Sequence, residues 1–162
     1  MLNGCAELPM ELELPQDFKE LFKSLNAKGV EYLLIGGYAV IIHGYVRNTN
    51  DIDVVVSSDP ENVTRCLDAL DDFGFGGPNL RKSLTSDEKD VVRMGIEPMK
   101  IEILNYLNGV DFADAYGRRI TKNVEDIKID VISLHDLIAN KEDVGRLQDL
   151  LDVEKLKERN GL

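Results

Sequence analysis

The segment Asp51-Ile52-Asp53-Val54-Val55-Val56 sets two acids two positions apart at the head of a β-branched apolar run. Such a run predicts a strand over Asp51 to Ser57. Strand side chains alternate faces, so both carboxylates project together, separated by roughly 6.6–6.8 Å along the chain. Ile52 and Val54 turn the other way, into apolar packing. Two anions side by side at the start of a buried strand repel each other, and the local sequence supplies no cation to offset them. A divalent metal would resolve the conflict, and hard carboxylate oxygens with few competing soft ligands suit Mg2+. A strand end whose acids simply face water is the competing reading, because Asp-x-Asp is a common pattern.

Two further features bear on that choice. Upstream, the apolar run Val30 to Ile35 predicts a strand that ends at Gly36-Gly37, with a short helix over Tyr38 to His43. Glycine there lets a ligand approach the backbone, and a helix start offers N–H groups to phosphate, although a tight strand-to-helix turn explains the pair equally well. Downstream, Lys100-Ile101-Glu102-Ile103-Leu104 places one acid within an apolar strand, where a carboxylate is costly unless exposed, paired or coordinating. A phosphate cradle facing three carboxylates on neighbouring strands accounts for all three features.

The remaining chain frames this site. Pro15 opens a helix with the stripe Phe18, Leu21, Phe22 and Leu25. Asp59 is the expected N-cap of a second helix bearing Val63, Cys66, Leu67, Leu70 and Phe73, stopped by the loop Gly74 to Pro78. Residues 79–98 are mixed and polar, with one strand expected around Val91 to Met94. Short segments follow near Arg119-Ile120 and over Ile127 to Ile132. Ser133 to Asp136 has capping-box spacing, and helix extends from there to about Arg159 with a break near Gly145. Because several strands follow one another directly, the fold class is α+β, with a mixed sheet backed by helices. Residues 1–14 read as a loose lead-in and 15–162 as one domain.

Composition limits the function classes. Thirty acidic residues against nineteen basic ones give a net charge of −11, which argues against an extended nucleic-acid interface and against anionic lipid. Only Cys5 and Cys66 are present, which excludes a disulfide framework and makes a reducing cytoplasm the expected compartment. No apolar run reaches the roughly 18 residues of a membrane helix. Cys66 falls on a helix stripe and reads as core. His43 and His135 lack metal-ligand spacing; His43 reads as helix-end packing and His135 as solvent-facing. Val144, Leu147, Leu150, Leu151 and Leu156 read as the packing face of the last helix, which could double as a homodimer seam.

Gly36-Gly37-Tyr38-Ala39, His43-Gly44, Arg47, Thr49 and Asp51-Ile52-Asp53 resemble the signature of the nucleotidyltransferase superfamily. The stretch Val131 to Lys141, with Gly145-Arg146, Asp149 and Asp152, resembles it too. Within that superfamily the likeness is to minimal nucleotidyltransferases, AbiEii-type toxins and aminoglycoside and lincosamide nucleotidyltransferases, and it runs from about residue 30 to 157. The resemblance implies a polymerase-beta-like fold with C-terminal helices. It also implies transfer of a nucleoside monophosphate from a nucleoside triphosphate to an acceptor hydroxyl on a small molecule, protein or RNA. By the same resemblance, Gly36 and Gly37 would hold the triphosphate, and Thr49 belongs to the nucleotide-binding set. Asp51 and Asp53 would ligate two Mg2+ ions with Glu102 as third carboxylate, while Arg47 and Lys141 would offer charge to the phosphates. Glu102 departs from the more usual Asp, and displacing a reacting group by about 1 Å can cost on the order of a hundredfold in rate. The alternative reading is therefore a binding or regulatory module with a protein partner, as in a toxin–antitoxin pair.

Overall fold

The computed structural model describes residues 12–77, 79–96 and 98–162; Cys5, Pro78 and most of the expected lead-in lie outside them. Leu14, at the end of that lead-in, is 4% exposed and joins the core just before α1 (Gln16–Ala27), whose Phe18, Leu21, Phe22 and Leu25 are all buried as their spacing predicts. The chain continues through β1 (Tyr32–Ile35), α2 (Gly36–Ile42), β2 (Ile52–Val56) and α3 (Pro60–Asp72). It then forms α4 (Leu80–Thr85), β3 (Val91–Ile96), β4 (Met99–Leu104), α5 (Phe112–Gly117), β5 (Ile120–Val124) and β6 (Ile127–Val131), and closes with α6 (Leu134–Val144) and α7 (Leu147–Arg159).

The six strands form one mixed sheet in the order β3-β4-β2-β1-β6-β5. β1 pairs antiparallel with β2 and parallel with β6, β2 pairs parallel with β4, and the two edge strands are antiparallel to their neighbours. The expected α+β architecture therefore holds. Helix α1 packs on α3 and β6, while α6 and α7 pack on each other. Tyr32, Phe18, Phe22, Leu33, Ile52 and Ile103 are among the largest side chains removed from water, and burying each contributes about 1.5–3 kcal/mol.

Local chemistry explains where the sequence expectations succeed and where they need correcting. Ser133 caps α6, its Oγ accepting from the Asp136 N–H at 3.2 Å, but the Asp136 carboxylate pairs with Arg118 rather than completing a capping box. Asp59 stands at the N-cap of α3 without a side-chain cap bond. Gly145, left-handed at φ +71°, makes the expected break between α6 and α7. The β5–β6 hairpin turns through Glu125 and Asp126 at φ +50° and +67°, the two positive values a tight two-residue hairpin requires. Glu125 is held in that turn by Lys19 at 3.0 Å.

The inward face of α7 differs from expectation. Leu147, Leu150 and Leu151 are exposed, Leu147 by 88%, whereas Asp149 and Asp152 are buried beside Val153 and Leu156. Acids occupy the inner positions of the first turns because two buried or half-buried cations meet them there.

Candidate active site

Strand register assembles the site. Asp53 lies opposite Ile35 on one side and opposite Glu102 on the other, and Glu102 in turn lies opposite Arg93. Ile52 and Val54, then Ile101 and Ile103, point into the core, so Asp53 and Glu102 share the opposite face of the sheet. Asp51 joins them at the rim of a cleft of about 750 Å3 that also includes Gly36, Gly37, Arg47 and Thr49. The structure thus brings together the residues that the sequence reading singled out, Lys141 included.

The strand-to-helix turn at Gly36-Gly37 is unusually tight. Gly36 has φ +69°, and a Cβ there would collide with the Asp53 carboxylate. A Cβ at Gly37 would strike the Thr49 side chain and lie 3.3 Å from an Arg47 guanidinium nitrogen. Both glycines are therefore required by the closeness of the acid and the loop, and they leave backbone open at the cleft floor.

Burial pushes the Asp53 carboxyl from 3.8 to about 7, reinforced by its hydrogen bond to Glu102 and the negative charges of Glu102 and Asp51, with Lys141 opposing. Asp53 and Glu102, in register on neighbouring strands, crowd negative charge at the cleft. Among the described residues, no three His, Cys, Asp or Glu side chains form a ready-made metal cage. The donor set is all oxygen, and the Gly36-Gly37 backbone leaves room for phosphate beside it.

Of the positive groups around the cleft, the sequence reading named Arg47 and Lys141 and missed Arg93. Arg93 on β3 donates from Nε to Glu102 Oε1 at 2.9 Å. Its only sequence signal was membership of a short expected strand, since pairing across a hairpin fixes which residue faces Glu102. Arg47 forms a bidentate pair with the buried Asp152 at 2.8 and 2.9 Å. Lys141, 5% exposed, lies 3.1 Å from Asp149 and 2.9 Å from Asp152. Arg146 reaches Asp149 at 2.7 Å. Burial raises Asp152 and Asp149, but hydrogen bonds from Arg47 and Lys141 to the first, and from Arg146 and Lys141 to the second, outweigh it and hold both below the ordinary carboxylate range. This ion network ties the loop before β2 to α6 and α7, so Arg47 and Lys141 serve the wall of the cleft as well as its charge.

The other candidates lie apart from this chemistry. His43 Nε2 meets the Ile132 carbonyl at 2.7 Å, and burial lowers its pKa, as suits a neutral packing side chain. His135 is exposed, and Cys66 is fully buried with its thiol pushed up to about 12.

A mixed sheet presenting acids from parallel neighbouring strands beside a glycine turn defines a nucleotidyltransferase fold. The structure superposes on the lincosamide antibiotic adenylyltransferase LnuA in its lincomycin-bound form with TM-score 0.54 and 16% identity, covering 89% of this chain and 96% of that one. The antibiotic-resistance factor ANT(2'')-Ia gives 0.55 at 11% identity, covering 88% and 81%. No curated protein sequence matches the chain. Residues 12–159 match the family described as nucleotidyltransferase of unknown function, DUF6036, and the chain belongs to that family. Among the described residues, no helix is long and apolar enough to cross a membrane.

Proposed function

We propose that the chain transfers a nucleoside monophosphate from a nucleoside triphosphate to an acceptor hydroxyl, with release of pyrophosphate. The observation that carries this reading is the placement of Asp53 directly against Gly36 and in register with Glu102. Asp51 and Asp53 would hold Mg2+, with Glu102 as the third carboxylate. Bound there, divalent metal neutralises charge on the attacking and leaving oxygens of an in-line displacement.

The remaining work falls to the chain. The open backbone at Gly36-Gly37, with Thr49 beside it, admits the triphosphate. Glu102 accepts the proton of the acceptor hydroxyl as its oxygen bonds to the α-phosphorus and the bond to pyrophosphate breaks. The Arg47–Asp152–Lys141 network keeps the cleft wall in place. Among the described residues, four carboxylates (Asp51, Asp53, Glu102 and Asp149) and four cations (Arg47, Arg93, Lys141 and Arg146) line the cleft. Their near balance leaves the charge of a triphosphate to be met by metal that arrives with it. The lincosamide and aminoglycoside enzymes of like fold support a small-molecule hydroxyl as the acceptor class.

The test is transfer of an α-phosphate label with pyrophosphate release, comparing wild type with Asp53→Asn. Label transfer that disappears in a folded Asp53→Asn protein supports the reading; an unchanged rate refutes it.

A further inference from the structure

Resting on the metal-dependent reading above, the geometry points to Arg93 as a built-in counter-cation of the acid cluster, one that a divalent metal must displace from Glu102. Glu102 stands between Asp53 on the parallel side and Arg93 on the antiparallel side. Its Oε1 accepts from Arg93 Nε at 2.9 Å, while Asp53 stands beside it on the neighbouring strand. The other three cations of the cleft wall make their ion pairs with Asp149 and Asp152, and Lys141 and Arg146 feel the central acids only through longer-range charge. Arg93 thus makes a direct ion pair with one of the three central carboxylates.

The Arg93 side chain is 61% exposed and that of Glu102 25%, so the pair is weakly held and can open. An ion pair of this exposure is worth about 0.2–1 kcal/mol. A dication approaching Glu102 meets both that pairing and the charge of the guanidinium itself. Arg93 consequently makes the cluster less receptive to metal alone. When it lets go, its long side chain remains at the cleft rim, where phosphate oxygens offer it a new partner. Loading would then favour the metal–nucleotide complex over free Mg2+.

The test is thermal unfolding of the full chain during titration with Mg2+ alone, and separately with Mg2+ in the presence of nucleoside triphosphate, for wild type, Arg93→Ala and Arg93→Lys. Removing the pair should lower the Mg2+ concentration at half-maximal stabilisation about 1.4- to fivefold in Arg93→Ala, the fold-change matching the ion-pair energy. Arg93→Lys, which keeps the charge, should stay closer to wild type. A midpoint in Arg93→Ala that is unmoved or higher, while wild type still responds to Mg2+ with nucleotide, overturns the counter-cation role and leaves the transfer reading standing. Absence of any Mg2+ response in all three proteins, with or without nucleotide, overturns both.

Discussion

Replacing Asp53 by Asn should stabilise the metal-free fold while removing its function. The carboxyl is raised from 3.8 to about 7 by burial and by Glu102 and Asp51, so the folded protein holds a proton that the unfolded chain releases. With the folded pKa above the unfolded one, stability is highest below about pH 4 as far as this group is concerned. It falls as pH rises towards 7 and stays at its lowest above that. About three pKa steps at about 1.36 kcal/mol each set a ceiling of about 4 kcal/mol. Asp53 keeps one side towards the open cleft, so solvent screening reduces the expected penalty to about 2 kcal/mol. Asn matches the neutral acid in shape and carries none of this penalty. In EDTA, thermal unfolding of the two proteins should differ little near pH 4 and by about 4–8 °C in favour of Asp53→Asn at pH 8. A difference independent of pH, or a variant less stable than wild type at pH 8, would refute the proposed crowding of charge.

Gly36→Ala combines a left-handed backbone, strained by about 1–2 kcal/mol for a side-chain-bearing residue, with a collision against Asp53. It should unfold at lower denaturant and lose any nucleotide-dependent stabilisation. Asp152→Ala strips the bidentate partner from Arg47 and one of two partners from buried Lys141. It should cost about 3–5 kcal/mol in urea unfolding, since a broken buried pair leaves charge uncompensated.

Much of the fold, and the meeting of the candidate site residues at one cleft, is legible in the residues. Alternation in Asp51 to Val56 and Lys100 to Leu104 placed three acids on the face opposite the core, and the Gly36-Gly37 pair marked the turn against them. The helices α4 and α5, each six residues long, escaped because so short a segment carries no full amphipathic repeat. The α7 surface misled for a different reason. Hydrophobic spacing named Leu147, Leu150 and Leu151 as its inner face, yet Asp149 and Asp152 are turned inward by Arg47, some hundred positions earlier, and by Lys141 on α6. Ion pairs between distant segments leave no periodic trace. The same holds for Arg93, whose meeting with Glu102 depends on the register of β3 against β4.

The central claim, that Asp51, Asp53 and Glu102 beside Gly36-Gly37 form a metal-dependent nucleotide site, is tested most directly by nucleotide-induced thermal shift. Wild type and Asp53→Asn are each melted with the four nucleoside triphosphates, with and without Mg2+. A ligand at about a hundred times its dissociation constant adds roughly 2.7 kcal/mol, or on the order of 5–10 °C for a chain of this size. The predicted result is a shift of that order for at least one triphosphate in wild type, dependent on Mg2+ and lost in Asp53→Asn. A wild type unmoved by every triphosphate, or a shift that persists without Mg2+ and in the variant, would contradict it.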